Sequence, residues 1–283
     1  MEKKQVKVFW RYFKKSRLAV GGLILVILIF LIAIFAAMIS PHDPGQTNVS
    51  LKLKPPSSHH YLGTDQLGRD VLSRMLHGSR ISLTVGFIAV GISILIGVFV
   101  GAVAGYYRSW VDSLLMRFVD TMLCFPSFFL ILTVVALMGP SLINIMIVIG
   151  ITSWMGTARF VRAEFLSLRE RDFVQAARSL GVKDLRIIFR HILPNALAPV
   201  FVTATLSVAS AILVEAGLSF LGFGVQPPAP SWGNILTEGR TYIFDAWWLT
   251  IFPGLAILVT VLSFNLVGEG LRDALDPRLR GRR

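Results

Sequence analysis

Long runs without a charged side chain, separated by short polar segments, set the pattern of this chain. Residues 18–40, 81–107, 121–158, 201–214 and 248–268 contain no Asp, Glu, Lys or Arg. About 20 apolar residues in a helix cross the ~30 Å hydrocarbon layer of a bilayer. Segments 18–40, 81–107 and 248–268 each predict one span, and 201–214 with its flanks predicts another. The run 121–158 is too long for one span and suits two of about 19 residues. Gly139-Pro140 marks the turn between them, and Pro126 is placed to kink the first. The pattern predicts an all-α membrane protein with six transmembrane helices.

The polar segments carry their own signals. Residues 1–17 are basic and aromatic, and the uncharged run 18–40 that follows exceeds the ~7–15-residue core of a signal peptide. Together they predict an uncleaved anchor. Segment 41–80 opens with the turn chemistry of PHDPG and KPPSSHH. Within it Leu67, Val71, Leu72, Met75 and Leu76 then recur at helical spacing, with Arg69, Asp70 and Arg74 on the other face. This predicts an amphipathic helix in the membrane interface. His59 and His60 are neighbours whose side chains diverge, which predicts a solvated loop rather than a metal pair. Residues 108–120 read as a short loop. Segment 218–248 is rich in Gly and Pro, and Trp232, Tyr242, Trp247 and Trp248 form an expected interfacial aromatic belt. Gly97, Gly101 and Gly105, spaced by four, put three glycines on one helix face, where another helix can pack closely.

Charge adds direction. The chain has 28 Lys and Arg against 16 Asp and Glu, a net charge of +12. In a membrane protein this excess belongs to cytoplasmic loops and anionic lipid rather than to nucleic acid. Segments 1–17, 106–120, 158–198 and 269–283 together hold 22 of the basic residues, and 40–80 and 218–248 hold 6. That bias predicts both termini, with the basic tail 269–283, in the cytoplasm, together with loop 159–198. No G-x-x-x-x-G-K-[ST], H-E-x-x-H or G-x-S-x-G occurs, and Cys124 is the single cysteine, so no internal disulfide or cysteine metal cluster is expected.

The predicted spans lack ionisable residues at mid-depth, with Asp120, Glu215 and Glu269 at their ends. Ion-driven secondary transporters normally carry such residues there. A stand-alone secondary transporter or channel is therefore the weaker alternative. Polar mid-span candidates are Thr133, Asn144, Thr203, Thr205, Ser207 and Asn265. A membrane-embedded hydrolase is weaker still, because His77 and His191 fall at interfaces without a triad spacing. Transport without a nucleotide site or buried charges needs energy from another subunit.

Residues 171–199 are the longest charged interruption. Ala176-Ala177 gives a smooth helical face, Gly181 stops the helix, and Leu185, Ile188, Phe189 and Ile192 are expected on one face of a second short helix. Pro194 is expected to redirect the chain into the fifth span. Such an element either lies on lipid headgroups or seats in a groove of a soluble partner.

The stretch VQAARSLGVKDLRIIFRHILPN resembles the EAA loop of ABC-importer permeases. Gln175-Ala176-Ala177, Gly181 and Leu193-Pro194 match at the family spacing, while Gln175 replaces the usual Glu and His191 the usual Ile. GTDQLGRDVLSRMLHGSRISL (63–83) and SFLGFGVQPPAPSWG (219–233) resemble the C-type subunit of the dipeptide/oligopeptide/nickel permease family. The resemblance implies a type I importer fold in a prokaryotic cytoplasmic membrane, with 81–268 as a five-helix core behind the extra first span. It implies a non-catalytic subunit for peptides or a related solute such as a nickel chelate. The implied partners are a second permease subunit, two ATPase subunits that carry the ATP and Mg, and an extracytoplasmic substrate-binding protein. No cofactor or metal is expected in this chain. The resemblance also implies that Gln175, Ala176, Ala177, Gly181, Asp184, Leu185, Phe189, Leu193 and Pro194 couple it to an ATPase.

Overall fold

The computed structural model describes residues 10–275. The basic residues Lys3, Lys4, Lys7, Arg278, Arg280, Arg282 and Arg283 lie outside the described residues. In chain order the helices are α1 (Arg17–Ile39), α2 (Val71–Tyr107), α3 (Ser109–Leu123), α4 (Ser127–Met138), α5 (Leu142–Arg169), α6 (Asp172–Ser179), α7 (Asp184–Phe220), α8 (Trp232–Arg240) and α9 (Trp248–Leu275). Five of them are long and apolar enough to cross a membrane, and α3 with α4 makes a sixth if that bent pair is one broken span. Large apolar side chains such as Leu18, Met38, Leu95 and Leu137 stand exposed along them, as a bilayer requires.

Helix α2 is the axis of the bundle. It packs along α5 and against α1, α7 and α8, while α9 packs on α1, α7 and α8. The α2–α5 seam is built on missing side chains. A Cβ at Gly97 would lie 2.6 Å from Thr157 Cβ, at Gly101 2.5 Å from the Ala158 carbonyl, and at Gly105 2.6 Å from Phe165 Cβ. From the other side, a Cβ at Gly150 would lie 2.6 Å from Ile92 Cβ. In lipid, helix association relies on such close packing because apolar burial alone drives little.

The polar excursion 41–80 departs from its expected form. Its helical part is not a separate interfacial helix but the first turns of α2, which runs unbroken for 37 residues. Arg69, Asp70 and Arg74 do not face water; they are buried. Arg69 Nε donates to Asp65 Oδ2 at 2.6 Å, and Arg74 donates to the same oxygen at 2.5 Å and to Glu238 Oε1 at 2.9 Å. Arg69 also reaches Glu238 Oε2 at 3.1 Å. Asp65 Oδ1 accepts the backbone N–H of Leu67 and Arg69, and Asp70 caps α2 through Ser73 N at 2.8 Å. GTDQLGRD is thus a folding unit, with Gly68 at φ +72°, its Cα packed against the Asn48 carbonyl so closely that no Cβ fits.

The second loop motif docks on the same end of α2. Trp232 N donates to Ser82 Oγ at 3.2 Å and its indole to the Met75 carbonyl at 3.1 Å. The indole of Trp248 donates to the Thr64 carbonyl at 3.1 Å. Trp232 and Trp248 are therefore buried anchors rather than members of the expected aromatic belt, whereas Trp247 is exposed. Glu215, expected at a span end, lies inside α7 and is fully buried, accepting from Ser219 Oγ at 2.8 Å and Ser231 Oγ at 2.9 Å.

The expected loop 108–120 is helical. Arg162 clamps Asp112 through two bonds of 2.5 and 2.6 Å, and Arg159 pairs with Asp120, so α3 is tied along α5. The kink at Pro126 is a break, with α3 and α4 meeting at 82°. Proline disfavours a helical conformation in the residue before it, which stops α3 short of Pro126.

Substitutions at Gly101, Gly156 and Arg74 test this architecture. Gly101→Ala is expected to lower the thermal unfolding midpoint in detergent despite alanine's ~1 kcal/mol helix preference, because the methyl group meets backbone. Gly156→Ala, with nothing within 4 Å of its Cβ, is expected to leave the midpoint unchanged or raised. Arg74→Met leaves Asp65 and Glu238 short of a cation and is expected to cost about 3–5 kcal/mol; Arg74→Met with Glu238→Gln should recover part of that loss in the same measurement.

Candidate functional site

At the opposite end of α2, residues 169–194 fold back against its last turn. Helix α6 ends in a Schellman motif: Val182 N donates to the Ala177 carbonyl at 3.2 Å and Gly181 N to the Arg178 carbonyl at 3.0 Å. Gly181 adopts φ +73°, the left-handed conformation that glycine tolerates best, and a Cβ there would meet nothing within 4 Å. The chain then enters α7 at Asp184.

Two faces separate in this segment. Val174, Ile187, Ile188 and Ile192 are buried in a cluster with Tyr106, Val161 and Phe165, and Ala177 is buried as well. Leu180, Leu185 and Phe189 stand outward, 84%, 65% and 64% exposed. Leu185, Ile188 and Phe189 border one groove, and Ile192, fully buried, leaves the face expected to hold all four. The cause is a π-helical turn over Ile187–Ile192, where Leu193 N bonds to Ile188 O, five residues back. Pro194 does not redirect the chain either. It sits in the first turn after this wide stretch, and α7 continues through it to Phe220. A proline ring clashes with the carbonyl four residues earlier in a regular helix, and the wider turn lies where that clash would fall.

Tyr106, near the end of α2, holds the segment in place. Its hydroxyl donates to Asp184 Oδ1 at 2.5 Å. The guanidinium groups of Arg169 and Arg178 lie 5.5 and 5.9 Å from its ring centre, and Arg169 Nη1 also donates to the Tyr106 carbonyl. Arg108 pairs with Glu170 at 2.7 Å. Gln175 Nε2 donates to the Arg169 carbonyl at 3.1 Å, a bond that a Glu at this position could not make. Ala176 and Pro194 are exposed, Leu193 half-buried. Leu185 and Phe189 also border a groove of about 520 Å³ with Ile94, Leu95, Phe99 and Tyr107 of α2.

Of the residues marked on sequence, Asp184 ties the segment to Tyr106, Gly181 makes the turn, Leu185 and Phe189 present apolar surface, and Gln175 bonds the Arg169 carbonyl, while Ala177 is buried, Leu193 half-buried, and Ala176 and Pro194 exposed. Leu180, at the tip of that turn, was not marked, although its place before Gly181 at a helix end is the signal for it. Gly97, Gly101 and Gly105 lie elsewhere, in the α2–α5 seam. Of the mid-span polar residues, Thr133, Thr203, Thr205 and Ser207 each bond a carbonyl of their own helix, and Asn144 bonds the Met138 and Gly139 carbonyls at the turn before α5.

Comparison with known proteins gives the family. Residues 81–281 match the model of the binding-protein-dependent transport system inner membrane component, and residues 4–56 match the N-terminal TM domain of oligopeptide transport permease C. The dipeptide transport system permease protein DppC of Alkalihalophilus pseudofirmus is 47% identical over 96% of this chain and 89% of its own length. The di/tripeptide transport system permease protein DppC of Pseudomonas aeruginosa is 46% identical over 97% and 93%. The glutathione transport system permease protein GsiD of Pectobacterium atrosepticum is 43% identical over 96% and 91%. Among solved structures, an inward-facing MetNI methionine ABC transporter chain aligns with a TM-score of 0.53 at 17% identity, covering 71% of this chain and 96% of that one, a likeness of fold. The chain belongs to the family of binding-protein-dependent transport system inner membrane components.

Proposed function

We propose that this chain is one of two permease subunits in an ATP-driven importer of di- or oligopeptides, and that the turn at 180–189 seats in a groove of an ATPase subunit. The observation that carries the reading is the outward apolar surface of Leu180, Leu185 and Phe189, held firmly to the end of α2 by Tyr106 and Asp184. Such a surface on a short helical turn suits helix-in-groove docking. The names of the relatives support peptides over nickel chelates as cargo.

The orientation follows from the basic bias, which puts the 180–189 turn and both termini in the cytoplasm. The end built from 41–70 and α8 then faces outward and meets the substrate-binding protein. ATP and Mg act in the ATPase subunits, whose closing and opening favour one or the other conformation of the permease pair. In this chain the work is mechanical. Asp184 and Tyr106 pass displacement of the turn to α2, and the glycine seam carries α5 with it.

The test uses the assembled importer in proteoliposomes with its binding protein. Leu180→Asp with Leu185→Asp, both at exposed positions, is expected to reduce ATP-dependent dipeptide uptake at least about tenfold, the loss that ~1.4 kcal/mol of coupling would give, while the chain stays inserted. Undiminished uptake would remove the coupling assignment. A stand-alone secondary transporter instead predicts gradient-driven uptake by this chain alone in liposomes, where the importer reading expects none.

A further inference from the structure

On the loop-bearing end of the bundle, three separate pieces of chain bring ligand atoms together. His42 lies just after α1, His60 lies in the excursion, and Asp70 caps α2. One ligand atom from each lies within 4.8 Å of the others. His60 Nδ1 is 2.9 Å and His42 Nδ1 3.7 Å from Asp70 Oδ1, and the two imidazole rings lie 4.8 Å apart. On sequence alone His60 pairs with His59, and no metal is expected; in the fold its neighbour is His42, eighteen positions earlier.

We propose that His42, His60 and Asp70 bind a divalent transition-metal ion, with zinc as the cation that suits two imidazoles and a carboxylate. Four ligands at ~2.0–2.1 Å in a tetrahedron stand about 3.3–3.4 Å apart, and the two distances to Asp70 Oδ1 bracket that value. The carboxylate is already aimed. Its other oxygen, Oδ2, accepts Ser73 N at 2.8 Å and Ser73 Oγ at 2.7 Å, which leaves Oδ1 for the ion. Ser73 Oγ also receives the backbone N–H of His42 at 3.1 Å, and Ser57 Oγ that of His60 at 3.2 Å. The Ser73 bonds to the ligating carboxylate are the kind of outer contact that orients a metal ligand, and the two backbone bonds fix where the histidine residues stand.

A hydrogen-bonded cluster without an ion leaves one atom unexplained. His60 satisfies Asp70 Oδ1, but His42 Nδ1 is buried with no hydrogen-bond partner and lies too far from the carboxylate to donate. A shared cation satisfies both nitrogens and the carboxylate together. Three protein ligands leave the fourth tetrahedral position to water or to an incoming donor group. The ion would pin the exit of α1 and the excursion to the head of α2, beside the surface assigned to the binding protein. The site itself does not depend on that assignment.

The test uses the full-length chain in detergent, purified without a histidine tag, stripped with chelator and titrated with zinc against a chromophoric competitor. The expected result is one zinc per chain. His42→Ala and His60→Ala should each weaken binding at least about tenfold, since loss of even an outer contact costs 10–100-fold, and His59→Ala should not. Cobalt in place of zinc should give the intense visible absorption of a tetrahedral site in wild type, lost in His42→Ala. Wild-type protein that binds no more zinc than the double variant His42→Ala/His60→Ala, or that gives no tetrahedral cobalt spectrum, would overturn the proposal.

Discussion

Backbone contact between α2 and α5 constrains every other part of this protein. At Gly97, Gly101 and Gly105 the two helices approach so closely that a methyl group would meet a carbonyl or a Cβ. An α-helix of 37 residues is about 55 Å long, and this one is anchored at both ends. Its head is held by the buried Asp65, Arg69, Arg74 and Glu238 network and by the indole of Trp232. Its tail is held by Tyr106, through Asp184 and two arginines. On the proposed reading a helix fixed in this way acts as a rod, and a push at the 180–189 turn is felt by the loops at the far end.

Local signals were legible in the sequence, and long-range partners were not. The bounds of α1 and the start of α9 follow from uncharged runs, although α9 continues past Glu269, Arg272 and Asp273 to Leu275; the glycine triplet follows from its spacing of four, and the stop at Gly181 from glycine at a helix end. Arg69 and Arg74 were misread because the helical pattern shows only that they lie opposite Val71 and Met75. The acid that buries Arg74, Glu238, is 164 positions away. Trp232 and Trp248 look like interfacial aromatics until the carbonyls they bond, at Met75 and Thr64, are known. The same limit hid His42, whose companions in sequence are prolines and an aspartate.

The candidate coupling segment was legible in outline and altered in detail. Its position, its glycine and its basic flanks can be read directly. Its faces cannot, because the π-helical turn shifts the phase, so that 192 is fully buried while 185 and 189 stay outward. A regular 3.6-residue period merges these two sets. The turn also explains how Pro194 sits in an unbroken α7. The exposed tip is therefore Leu180 rather than any residue of the familiar alanine pair, and Gln175 serves the segment's own fold through the Arg169 carbonyl.

The central claim is that the 180–189 turn is the surface that meets the energy source. The most direct measurement places a photoreactive amino acid at Leu180 in the assembled importer, with the same group at Leu95, which is 73% exposed on the apolar length of α2, as a control. The account predicts a covalent adduct with an ATPase subunit from position 180 and none from position 95. Adducts from position 180 with lipid alone would contradict it.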